Sequence, residues 1–334
     1  MTALAPYVRI LGRGPGRARH LTEDEAEAAL SLILAGEAAP EATGALLMLM
    51  RYRGESAAEI AGFTRALRAA LPPWPGPAPA LDWPSYAAGR SRGLPFFLLA
   101  ARLVARAGLP VLLHGWNSHQ GTGADVREAL GHAGIERARS LDDASHLLAR
   151  DAIAYLPLEA ISSDLLSLLR LRDTLGLRSC LNTVARMANP AAAPLSVQGV
   201  FHPPYRELQR DAAILLGQRR SMTIKGGGGE FERHPCKVIE VVGQTGTRAT
   251  DESAPPLLHA TVRLADGPAF PPEPARLADL WDGRLRDPFA EACVIGTAAL
   301  VLRGAGQATS DADATRRAEA LWAGRLQPSE KVPA

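Results

Sequence analysis

Lysine is almost missing from this chain. Of its 37 basic residues only Lys225, Lys237 and Lys331 are lysines, so arginine carries nearly all the positive charge. A GC-rich genome accounts for much of that bias without any function. Cysteine is scarce as well. Cys180, Cys236 and Cys293 lie far apart and any pairing leaves one over, which excludes a disulfide framework and suits a reducing compartment. No apolar run reaches the ~18 residues of a membrane span before Arg or Gly interrupts it, and a basic-then-apolar leader is lacking. A cytoplasmic protein without a membrane partner is therefore expected. No Walker loop, GxSxG elbow or CxxC pair occurs, which removes the commonest signatures of nucleotide hydrolysis, serine hydrolysis and dithiol or zinc chemistry. What is present is apolar bulk: 334 residues, 47% hydrophobic and 22% charged, enough to bury a sizeable core in two domains.

The first twenty residues carry Arg9, Arg13, Arg17 and Arg19 with no acidic residue. Such an arm suits a polyanion such as nucleic acid, and equally a loosely ordered, solvated terminus. Thr22 with Glu25, and Ser56 with Glu59, read as capping boxes that open helices. A helix from about Pro40 to Arg53 lies between those two. Short connections make these helices antiparallel neighbours in a small bundle. Pro72, Pro73, Pro75, Pro77 and Pro79 then form a stiff linker. The expected division is a helical domain over residues 1–71, joined by helices from about 158–177, a linker over 72–80, and a large α/β domain over 81–330.

Within the second part, Pro110 to Leu113 reads as a strand that feeds His114-Gly115-Trp116-Asn117 and a glycine loop before a helix, an arrangement that points amides at an anion. His114 is an acid-base candidate there, with a satisfied structural histidine as the plainer reading. Asp142, Asp143 and His146 have helical spacing that could suit a metal, but a solvated helix face explains them as well. The most informative stretch runs from Leu175 to Glu232: strand-like runs at Leu195 to Val200 and Ser221 to Ile224, a helix between Pro204 and Gly217, then Lys225 and four glycines, Gly226 to Gly229, ahead of Glu230 and Glu232. Four glycines leave backbone amides open to close approach by a ligand.

These segments resemble a known family. LTEDEAEAALSLILAGEAAPEATGALLMLMRYRGESAAEIAGFTRALR looks like the helical domain of the anthranilate phosphoribosyltransferase and nucleoside phosphorylase superfamily. LGLRSCLNTVARMANP, GVFHP and the glycine loop resemble that family's LGxRTxFNxLGPLxNP, GVFHP and HGxDGxDE. The resemblance implies an α/β fold in which a small α-helical bundle is hinged to a large domain with a central, mostly parallel sheet, and a homodimer formed through the bundle. It also implies a ligand pocket at His114, Gly115, Asn117, Arg172, Asn182, Lys225, Gly226, Gly227, Glu230 and Glu232, with Arg172 matching the arginine that contacts the acceptor carboxylate.

Departures fall at the donor site. The family's GTGGD loop aligns with Ser85-Tyr86-Ala87-Ala88-Gly89, its NxST phosphate grip with Pro95-Phe96-Phe97-Leu98, and one carboxylate of its magnesium-holding pair with Phe231. Between residues 165 and 237, eleven basic residues face five acidic ones. That pattern resembles a paralogue group described as nucleic-acid-binding. The expectation is a dimer that binds DNA or RNA, single- or double-stranded and without sequence readout, through Arg9, Arg13, Arg17, Arg19, Arg170, Arg172 and Arg178, and that needs no cofactor. The alternative is an active glycosyltransferase or phosphoribosyltransferase acting on an altered phosphorylated substrate, and magnesium enters only with it.

Overall fold

The computed structural model describes residues 3–14, 16–86, 93–116, 125–259 and 273–327. Four helices come first: α1 (Ala5–Gly12), α2 (Glu23–Leu34), α3 (Pro40–Arg53) and α4 (Ala57–Ala70). Both capping boxes form. The Glu25 amide donates to Thr22 Oγ1 at 3.2 Å while the Thr22 amide donates to Glu25 Oε2 at 2.9 Å, and Ser56 and Glu59 repeat the exchange. Glu59 is fully buried and also accepts from the Leu21 amide at 2.9 Å, which ties the entry of α2 to α4. The two helices cross so closely at Gly62 that an added Cβ would overlap the Glu23 carbonyl oxygen. α1 corrects one expectation: eight residues of the arginine arm, Arg9 among them, form a helix, started by Pro6 in its first turn and anchored by the buried Leu4 and Leu11.

After the proline linker the chain alternates strand and helix: β1 (Leu81–Ser85), α5 (Phe97–Arg106), β2 (Val111–Gly115), α6 (Val126–Ala129), α7 (Leu141–Asp151) and β3 (Ile153–Pro157). Three helices follow, α8 (Leu158–Ile161), α9 (Ser163–Leu175) and α10 (Leu181–Arg186). The sheet resumes with β4 (Leu195–Val200), α11 (Tyr205–Leu215), β5 (Arg220–Lys225), β6 (Ile239–Thr245) and β7 (Arg248–Ala254), and α12 (Ala275–Trp281), α13 (Pro288–Gly304) and α14 (Asp311–Ala323) close the chain. The seven strands lie in the order β3-β2-β1-β4-β5-β6-β7, parallel through β5 and antiparallel for the last two pairs. A small helical domain and a large, mostly parallel α/β domain are thus the architecture.

The core has two layers, one on each face of the sheet. On one face Leu81, Trp83, Val111, Leu113, Ile153 and Tyr155 pack against α5 and α12 to α14, and on the other Leu112, Ala154 and Leu156 pack under the helical domain and α8 to α11. Alternation along each strand sets this sorting. β1 and β4 share only two register pairs, Leu81 with Leu195 and Asp82 with Ser196, before they part. Strand order also reverses there, so the carboxyl ends of β1 and β4 open the crevice in which parallel sheets hold ligands. Among the described residues no helix is long and apolar enough to cross a membrane.

Candidate functional site

The floor of the crevice is a buried polar chain. Asp82 on β1 sits beside His114 on β2, with Nε2 3.0 Å from Oδ1, and its other oxygen accepts from Ser196 Oγ on β4 at 2.7 Å. His114 Nδ1 lies 2.9 Å from the Tyr86 hydroxyl, whose ring stands edge-on to the imidazole. With Nε2–H donating to the carboxylate, Nδ1 accepts the phenolic proton and every polar atom of the imidazole is satisfied. Burial pushes the Tyr86 phenol well above its ordinary range and keeps it a donor. His114 is the satisfied structural histidine, sealed beneath Tyr86. Gly115 serves the sheet, since a Cβ there would overlap the Ser85 carbonyl oxygen on β1. Asn117 lies outside the described residues.

The glycine loop forms the next wall. Gly228 and Gly229 take φ values of 64° and 88°, a region that favours glycine, and turn the chain back so that the Gly227 amide donates to the Glu232 carbonyl at 2.9 Å. A Cβ on Gly226 or on Gly199 of β4 would overlap the Glu230 backbone, so both glycines are needed for the loop to lie on the strand ends. The turn aims the two carboxylates apart. Glu230 Oε1 accepts from Ser85 Oγ at 3.0 Å, whereas Glu232 Oε2 accepts from the Phe97 amide at 2.9 Å and so caps α5. Phe231 between them is fully buried, edge-on to Trp83 at 5.6 Å. A hard dication needs several oxygens converging on one point, and among the described residues no three His, Cys, Asp or Glu side chains do so. As placed, these carboxylates do not fit a shared magnesium ion. Lys225 is exposed at the end of β5.

Beside the glycine loop opens a cleft of about 200 Å³ lined by Arg51, Arg178, Asn182, Arg186, Tyr205 and the Gly228-Gly229 backbone, among others. Arg186 is buried and donates to the carbonyl oxygens of Asn182 at 3.1 Å and Tyr86 at 3.4 Å. Burial, then the charges of Arg186, Arg172 and Arg51, hold Arg178 down at about 10. Among the described residues, Arg51, Arg172 and Arg186 form no ion pair with a carboxylate, and Arg172 Nη1 is buried without a hydrogen-bond partner. Three guanidinium groups lining one cleft beside the glycine turn, with a fourth in electrostatic reach, can receive an anion.

The sequence therefore named part of this site. Asn182 lines the cleft, Arg172 stands within electrostatic reach of Arg178, and Gly226, Gly227, Glu230 and Glu232 shape the adjoining loop; Arg178 lines the cleft too, but was expected only as a nucleic-acid contact. Arg51, Arg186 and Tyr205 were missed. One signal was readable: Arg186 in VARMANP stands where the resembling motif, LGPLxNP, has proline.

The arginines expected to contact nucleic acid have different surroundings. Arg19 is bound by Glu25 at 2.6 and 2.7 Å, and Arg9, Arg13 and Arg17 lie on the amino-terminal segment while Arg170 lies exposed on α9. Arg178 lines the cleft instead, with Arg172 in electrostatic reach of it. Of the remaining basic excess between residues 165 and 237, Arg206 pairs with Glu240 at 2.7 Å, Arg210 pairs with Asp211 and Asp251, and Arg233 is buried. Asp143, once a metal candidate, accepts from the Arg139 amide on an exposed helix start.

A helical bundle on a switch-point α/β domain, with an anion cleft between, is the architecture of a glycosyl transferase of the helical-bundle class. Residues 5–71 match the family described as "Glycosyl transferase family, helical bundle domain". The anthranilate phosphoribosyltransferase of Methylobacterium radiotolerans is 32% identical over 310 residues, covering 87% of this chain and 85% of its own. That of Novosphingobium aromaticivorans is 34% identical over 211 residues, 63% of each chain. Among solved structures, anthranilate phosphoribosyltransferase from Thermus thermophilus superposes with a TM-score of 0.80 at 24% identity, covering 97% of this chain and 95% of its own. The Saccharomyces cerevisiae enzyme in complex with PRPP and Mg gives 0.74 at 15% identity, with 96% and 94% covered. The chain belongs to the anthranilate phosphoribosyltransferase family.

This membership overturns the expectation of a DNA- or RNA-binding protein. These relatives and structural neighbours are named as transferases, and part of the local charge excess that suggested nucleic acid is taken up by ion pairs, burial and the cleft. The expectation that no cofactor is needed rested on that reading and loses its basis with it.

Proposed function

We propose that this chain is an active transferase of the phosphoribosyl type whose anionic substrate is gripped by arginines. The observation that carries the reading is the crowding of Arg51, Arg178 and Arg186 at the cleft beside the Gly228-Gly229 turn, with Arg172 in electrostatic reach of Arg178. In group transfer from a phosphorylated sugar the leaving group gathers negative charge, and fixed guanidinium groups in a water-poor cleft stabilise that charge with little reorganisation. Arg178 and Arg186 take this role, and Asn182 orients the anion beside the Gly228-Gly229 turn. The hinge between the two parts lies in the proline segment of residues 72–80. No step is assigned to a metal held by Glu230 and Glu232.

The test is a coupled assay of pyrophosphate release from phosphoribosyl pyrophosphate, with and without magnesium, against a panel of aromatic amines and acids that includes anthranilate. Release that requires an acceptor and falls at least 100-fold in R178A supports the reading; a chain that neither turns over nor gains melting temperature with the donor refutes it. Saturating donor at a hundredfold above Kd stabilises by about 2.7 kcal/mol, well within reach of a thermal shift.

A further inference from the structure

One contact across the cleft joins the two domains through a single hydroxyl. Tyr205, the first residue of α11 in the large domain, accepts from Arg51 Nη1 at 3.1 Å and donates to Glu55 Oε2 at 3.0 Å. Arg51 belongs to the last turn of α3, and Glu55 follows Gly54, whose φ of 78° ends that helix and turns the chain back. Arg51 and Glu55 are thus neighbours of opposite charge on one domain, yet they form no ion pair, because the hydroxyl of the other domain stands between them and satisfies both. Burial and Glu55 raise the phenol above its ordinary range, so it stays protonated and keeps donating.

We propose that Tyr205 is a positioning residue that keeps Arg51 available to an anion in the cleft by holding Glu55 off it. An arginine paired directly with a carboxylate is neutralised as an anion receptor. One that donates to a neutral phenol keeps its charge and loses little by turning to a phosphate, since charge-assisted bonds are about twice as strong as neutral ones. The ligand class that follows is a multiply charged anion, a diphosphate or phosphate ester, able to engage Arg51 together with Arg178 and Arg186.

This rests on the cleft being the anion site, and the test separates the two. Binding of inorganic pyrophosphate is measured by calorimetry on the native chain and on R51A, Y205F, E55Q and Y205F/E55Q, with melting temperatures alongside. Removing the hydroxyl lets Glu55 close on Arg51, so Y205F binds on the order of tenfold more weakly, the size of a lost hydrogen bond to a charged group, and approaches R51A. The double variant, with no carboxylate to close, returns to within a few fold of the native chain, and E55Q alone binds at least as tightly. Unchanged binding in Y205F, or weakened binding that E55Q does not rescue, overturns the role of Tyr205 alone. Absence of binding by the native chain overturns the cleft assignment and this inference with it.

Discussion

Replacing Arg186 by methionine is expected to stabilise the empty protein while destroying anion binding. The guanidinium is 9% exposed and has no carboxylate partner among the described residues. Burying a charge costs several kcal/mol even after relaxation; the Glu230 carboxylate offsets part of this while Arg178 repels, and burial still wins, holding the Arg186 guanidinium below its ordinary range. Against this stand two bonds to carbonyl oxygens, one of 3.1 Å and one of 3.4 Å, worth about 2–4 kcal/mol together for a charged donor. Methionine is long and flexible enough to fill the space. The balance favours the apolar side chain by about 1–2 kcal/mol, within the range found when buried ions are replaced by apolar groups. Each kcal/mol raises the melting temperature by roughly 2–4 °C or a little less in a chain of this size. Urea titration and calorimetry without ligand read the first effect, and pyrophosphate binding reads the second. A fall of several degrees with anion affinity intact would refute the reasoning and make Arg186 a strut for the Tyr86 carbonyl.

Two further outcomes follow from the same geometry. Glu232→Ala leaves the Phe97 amide without an acceptor at the start of α5, so stability falls by about 1–2 kcal/mol, and magnesium alone leaves the melting temperature of the native chain unchanged; a magnesium-dependent rise that disappears in this variant would make Glu232 a metal ligand. The Arg19 guanidinium, with help from the Thr22 amide, holds the Glu25 carboxyl down at about 2 from its ordinary 4.5. A depressed carboxyl stabilises fully above its unfolded value and loses that contribution as pH falls from about 4.5 to about 2. Glu25→Gln therefore flattens the stability profile in that acid window and lowers the plateau at pH 7 to 9, where the native carboxylate contributes in full, as denaturant titrations across pH can verify.

Local chemistry was the legible part of this molecule. Capping boxes at Thr22 and Ser56 need only residues three apart, and β4, α11 and β5 announced themselves by periodicity and turn residues. The hairpin of β6 and β7 breaks the strand-helix alternation, and its antiparallel pairing with β5 spans the glycine loop that separates them in sequence. Charge was misread for the same reason. A count along the chain treats Arg206 and Arg210 as free, but their partners Glu240 and Asp251 arrive from the hairpin. The cleft needed three dimensions as well, because Arg51 comes from the helical domain and meets Arg178 and Arg186 only after the sheet and α10 are in place. The directions of Glu230 and Glu232 depend on left-handed backbone at Gly228 and Gly229, which a run of four glycines permits without specifying.

The most direct measurement is a crystal structure of the chain soaked with phosphoribosyl pyrophosphate and magnesium. The account predicts phosphate density in the cleft, within hydrogen-bond distance of Arg178 and Arg186 and facing the Gly228-Gly229 turn, with Arg51 swung from Tyr205 toward it. Phosphate bound elsewhere, with the cleft unchanged and Glu230 and Glu232 drawn together around a metal, would contradict it.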